Sequence, residues 1–98
     1  MTFVVITQVR CPRENLAEIQ AVGRQMLPLA RAAAGHVSVA LHVNSERPET
    51  MMYWEWQSES DHQVLLQTKE WLDLMGQHAE LFGHDGVEFS MTRFQRVE

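Results

Sequence analysis

The chain has one cysteine, one lysine and one tyrosine in 98 residues. A lone thiol, Cys11, cannot close an internal disulfide, which fits a reducing, cytoplasmic setting. Nucleophilic chemistry at Cys11 would need a base beside it, so the expectation is a structural thiol. The basic residues are this one lysine and scattered arginines, eight in all against 13 acidic residues, for a net charge of −5. No dense positive face can form, which argues against nucleic acid and anionic membrane surfaces as partners. No apolar run approaches the roughly 20 residues of a membrane span. Met1 to Val9 is apolar but lacks the basic start and small-residue cleavage site of a signal peptide. The five glycines are dispersed and build no phosphate-cradling loop. No Gly-x-Ser-x-Gly elbow occurs, and no two histidines stand four apart on a helix, so no metal constellation is expected.

What is present suits an ordinary globule, 45% apolar and 21% charged, with the length of a single domain over residues 1–98. The aromatic residues are concentrated. All three tryptophans and the tyrosine fall between Tyr53 and Trp71. Tyr53-Trp54-Glu55-Trp56 reads as a strand, and Ser58 with Asp61 reads as the capped start of a helix. These rings either fill the core or wall a pocket for a flat organic molecule.

Thr2 to Arg10 is rich in β-branched residues on both faces and predicts a strand. Residues 13 to 33 carry Leu16, Ile19, Val22 or Gly23, Met26, Leu29 or Ala30, and Ala33 at helical spacing, with a kink or short break expected near Leu27 because of Pro28, and a stop at Gly35. His36 to Val43 alternates, placing Val37, Val39, Leu41 and Val43 on one face and His36 and His42 on the other. A polar turn leads into a third strand, Met51 to Gln57, with Met52, Trp54 and Trp56 opposite Met51, Tyr53 and Glu55. Helices follow Ser58 and Thr68, the second carrying Trp71, Leu74 or Met75, His78 and Phe82 on one stripe. Val87 to Val97 predicts a last strand.

The order β-α-β-β-α-β implies an α+β, ferredoxin-like fold: a four-stranded antiparallel sheet with helices on one face. The other face is left bare although it carries apolar side chains. A second copy of the same sheet is its simplest cover, so a homodimer is expected.

The passage Trp56, Ser58, Thr68, Trp71 resembles the antibiotic-biosynthesis-monooxygenase-type domains of the dimeric α+β barrel superfamily, and the resemblance covers nearly the whole chain. In that family a glutamate, a capped helix bearing a histidine, and an aromatic at the next helix start often accompany the tryptophan. Here Trp54 and Leu65 stand where the glutamate and histidine fall by spacing, and of a glutamate-proline-glycine before strand 2 only Gly35 remains. The resemblance implies oxygenation of quinols or aromatic polyketide-like molecules by O2 without a cofactor. It also admits isomerases, cyclases and non-catalytic relatives. Haem-degrading relatives carry a histidine ligand where this chain has Met75 or Leu65, which argues against haem.

Cofactor-free oxygenation needs an apolar aromatic lining and a donor or base of tuned pKa. Trp54, Trp56, Trp71, Met75, Phe82 and Phe89 supply candidate lining. His78, Trp71 and Tyr53 are the candidate catalytic residues, with His42 as a further pocket residue and His36 and His62 as other polar candidates. His78 on an apolar stripe is either a neutral pocket imidazole or a core histidine with one hydrogen bond.

Overall fold

A computed structural model describes residues 1–98. The strands are β1 (Phe3–Arg10), β2 (His36–Val43), β3 (Glu49–Trp56) and β4 (Glu88–Gln95). The helices are α1 (Leu16–Ala32), α2 (Glu59–Leu66), α3 (Lys69–Gln77) and the single turn α4 (Ala79–Phe82). The sheet order is β2-β3-β1-β4 and every neighbouring pair is antiparallel. This is the ferredoxin-like plan expected from the element order. β1 is central, hydrogen-bonded to β3 on one side and β4 on the other.

The register assigns the faces. Val5 pairs with Trp54 and Arg93, Thr7 with Met52 and Met91, and Val9 with Thr50 and Phe89. These residues look toward the helices. Val5, Val39, Met52, Trp54 and Trp56 form the main core with Ala30 of α1 and Leu65 of α2. A second cluster joins Val9 and Cys11 to Ile19, Val22 and Leu81. The opposite face carries Ile6, Met51, Tyr53, Glu55 and Phe94, and no helix covers it.

Local sequence features set the element ends. Ser58 caps α2: its Oγ accepts from the Asp61 backbone N–H at 3.2 Å and donates to Asp61 Oδ2 at 2.9 Å. Thr68 joins two helices, donating to the Leu65 carbonyl at 2.8 Å and accepting from the Trp71 N–H at 3.3 Å. Gly35 has φ +81°, and a Cβ there would overlap the Asp61 carboxylate.

Four sequence expectations are corrected. The first helical segment opens as a 3-10 turn, Arg13–Asn15, before α1, and α1 runs through Pro28 without a break. Pro28 and Arg24 lie on the exposed side, so the carbonyl of Arg24 that loses its donor can turn to water. A bulge between His36 and Ser38 reverses the alternation of β2. His36 therefore pairs with Trp56 on the helix side, while His42 pairs with Met51 on the open side. The long stripe expected after Thr68 breaks at His78, which ends α3 and precedes α4.

Candidate functional site

A cavity of about 480 Å³ lies between the helix-facing side of the sheet and helices α1, α2, α3 and α4. That is the size of a small-ligand pocket. Fourteen of its 18 lining residues are hydrophobic. The exceptions are Gly23, Thr7, Thr50 and His62. Gly23 brings α1 close to β2: a Cβ there would press on the Leu41 side chain at 3.0 Å.

Two tryptophans shape one wall. Trp54 and Trp71 meet edge to face, with ring centroids 5.9 Å apart and planes at 75°. The Trp54 indole is fixed by donating its Nε1–H to Thr7 Oγ1 at 3.0 Å. Trp71 is fixed by the Thr68 cap at the start of α3. Met26, Met52, Met75 and Met91 add flexible thioethers that adapt to a flat ring.

His62 is the one imidazole in this lining. It is 4% exposed and stacks obliquely against Phe3 and Trp56, at 5.9 Å and 5.8 Å between centroids. Its Nδ1 is sealed from solvent and has no hydrogen-bond partner within the chain. Leaving such a group unsatisfied costs about 1–3 kcal/mol, and the neighbouring Trp56 Nε1 and His36 Nε2 are unpaired in the same way. Burial pushes its pKa below the usual histidine value, the Arg93 guanidinium pushes in the same direction, and Glu59 opposes them.

The nine residues named from the sequence as catalytic or pocket candidates divide. Trp54, Trp71, Met75, Phe82 and Phe89 line the cavity together. Trp56 lies beneath it, wholly buried against His36 and His62. As site candidates Tyr53 and His42 are corrected: both lie on the open side of the sheet, where the parity of β3 already places Tyr53. The Tyr53 hydroxyl lies 3.4 Å from Glu55, and His42 Nδ1 lies 3.3 Å from the Met51 carbonyl oxygen. His78 is also corrected: it is half-buried at the α3–α4 junction, with Nε2 3.4 Å from Gln25 Oε1, and does not line the cavity. In the sequence His62 is one of several polar candidates, and the apolar stripe favours His78 over it. Its signal was the spacing to Leu65 and Leu66, which puts all three on one side of α2.

Two carboxylates on the open face are buried and paired. Glu55 accepts from Thr2 Oγ1 and from Arg96 Nη1 at 3.0 and 3.1 Å, and these bonds hold its pKa below the usual carboxylate value. Arg10, Asn44 and Arg47 do the same for Glu49. Burial, aided by Glu14, raises the pKa of the Cys11 thiol, which makes it a poor nucleophile. No three histidine, cysteine, aspartate or glutamate side chains are grouped to hold a metal ion, and no helix is long and apolar enough to cross a membrane.

Comparison with solved structures gives the same architecture repeatedly. Rv0793 from Mycobacterium tuberculosis superposes with a TM-score of 0.84 at 16% identity, over 100% of this chain and 97% of its own. PA3566 from Pseudomonas aeruginosa gives 0.81 at 13% identity, over 99% and 95%. A variant of SnoaB, a cofactor-independent oxygenase from Streptomyces nogalater, gives 0.81 at 10% identity, over 99% and 94%. Identities this low carry the fold alone. None of the curated proteins matches the chain. The family model for antibiotic biosynthesis monooxygenase matches residues 2–77. That span runs from β1 to the end of α3 and takes in the paired tryptophans and His62, and the chain belongs to the antibiotic biosynthesis monooxygenase family.

Proposed function

We propose that the chain oxygenates a flat, electron-rich quinol, phenol or aromatic polyketide-like molecule with O2 and no cofactor. The observation that carries this reading is the cavity itself: an apolar space walled by the Trp54–Trp71 pair, with a single buried imidazole. Family membership and the likeness to a cofactor-independent oxygenase support it. For an anthrone-like substrate the balance is simple. A ring CH2 and O2 become C=O and H2O, so the substrate carbon is oxidised and O2 is reduced. The protein has to hold the ring, accept a proton and keep bulk water out.

The lining favours a neutral ring system. Neither a lysine nor an arginine side chain lines the cavity to hold a carboxylate or phosphate. Trp54, Trp71 and the methionines offer faces and edges for stacking.

The working form in this proposal is a homodimer closed through the open sheet face, acting in the cytoplasm. Ile6, Met51, Tyr53 and Phe94 give that face its apolar content. Its buried carboxylates already have partners, so covering it leaves few charges unpaired.

The test is dissolved-oxygen uptake with a panel of anthrones and hydroquinones, without added cofactor, with Trp71→Ala alongside. Uptake above autoxidation that falls in the variant is the expected result. Uptake at the autoxidation rate for every compound would overturn the reading. Turnover without oxygen would identify an isomerase or cyclase, and tight binding without turnover a ligand-binding dimer.

A further inference from the structure

We propose that His62 is the proton acceptor for the molecule bound in the cavity, a role that rests on the monooxygenase reading above. Among the lining side chains it is the one that can exchange a proton near neutral pH. Thr7 and Thr50 cannot act as bases there, and the Thr7 hydroxyl already accepts from Trp54.

Three features prepare His62 for this task. It is buried in the cavity wall, so a proton accepted from substrate is not lost to bulk water. Its ring packs against both Phe3 and Trp56, which restricts its orientation. Its helix start is fixed by the Ser58–Asp61 cap and by the close approach of Gly35 to Asp61. The charged groups that act on it are Arg93 from β4 and Glu59 from its own helix; β1 and β3 contribute the uncharged Phe3 and Trp56, and His36 of β2 stands edge-on to Trp56. Burial and Arg93 keep the imidazole neutral, the form that can accept.

The chemistry balances on this one residue. The substrate C–H bond breaks, an N–H bond forms at His62 Nε2, the ring nitrogen that is neither hydrogen-bonded nor sealed, and the electron pair stays on the substrate ring. That carbanion takes up O2, and the imidazolium returns its proton to the peroxide oxygen. His62 then removes the second proton from the same carbon as the O–O bond breaks, and delivers it to the departing hydroxide as water.

The test separates proton transfer from oxygenation. A hydroxyanthrone is titrated into the protein without oxygen, and its absorption spectrum reports the anion. Wild type should produce the bound anion, with its yield falling as pH drops through the titration of His62. His62→Gln should bind the compound, by tryptophan quenching, without forming the anion. With oxygen admitted, the variant should lose kcat on the order of 100- to 10,000-fold with little change in KM. Thermal unfolding of His62→Gln and of His62→Asn checks that the fold survives; the wild-type pH profile needs no variant. If wild type binds the compound without forming the anion, or if His62→Gln forms it equally well, the assignment is overturned. If the anion forms but no oxygen is consumed, His62 is the proton acceptor and the monooxygenase reading fails. If nothing binds, both fail.

Discussion

Protonation of His62 should make the fold measurably less stable in mild acid. In the native state the imidazole is 4% exposed and its pKa lies below the unfolded value of 6.5. As pH falls through 6.5 the unfolded chain takes up a proton at this site while the native chain does not. The stabilising contribution is therefore complete above that pH and is lost below it, down to the native-state pKa. From about pH 7.5 to about pH 5.5, the loss from this one group reaches at most about 1.4 kcal/mol, the linkage value for one proton over one full pH unit. That is a sizeable part of the 5–15 kcal/mol that holds a domain of this kind together. Glu49 and Glu55 act elsewhere. Their native pKa values lie below 4.5, so their contributions are present above that pH and fade only as it falls further. Urea unfolding followed by tryptophan fluorescence gives the stability at both pH values, and His62→Leu isolates His62 from the other histidines. The wild type should lose up to about 1.4 kcal/mol more than the variant across this window. Equal losses would mean that His62 titrates normally in the native state, and that the cavity wall is not dry.

Three further substitutions test the packing. Trp56→Ala empties a site that is 0% exposed at the centre of the main core, and should cost about 3–5 kcal/mol in urea unfolding. Gly35→Ala forces an L side chain into φ +81° and against the Asp61 carboxylate, and should lower stability by at least about 1 kcal/mol with a clear drop in Tm. Gly76→Ala goes the other way. A Cβ there meets nothing within 4 Å, and the position lies inside α3, so a gain of about 0.5–1 kcal/mol is expected.

Much of the fold was legible because its signals are local. The β-branched run of β1, the caps at Ser58 and Thr68, and the parity of β3 are each written within a few residues. The misses came where tertiary contacts overrule periodicity. One extra residue in the bulge beside Val37 moves His36 onto the helix side, and no alternation rule reveals it. The break at His78 ends a stripe that spacing alone would continue.

The site was half legible for a related reason. Parity puts Trp54 and Tyr53 on opposite faces of β3, but it does not say which face the helices cover. In the sequence His78 falls on the apolar stripe of Trp71, Met75 and Phe82, whereas His62 stands among the polar residues that open α2. What selects His62 is depth in the fold: it sits under Phe3 and beside Trp56, partners far from it in sequence.

Oxidation of an anthrone under isotopically labelled O2, followed by mass spectrometry of the product, tests the central claim most directly. The protein should speed formation of a quinone carrying one labelled oxygen atom, and Trp71→Ala and His62→Gln should both slow it. A product with no label, or a labelled product formed no faster than without protein, would contradict it.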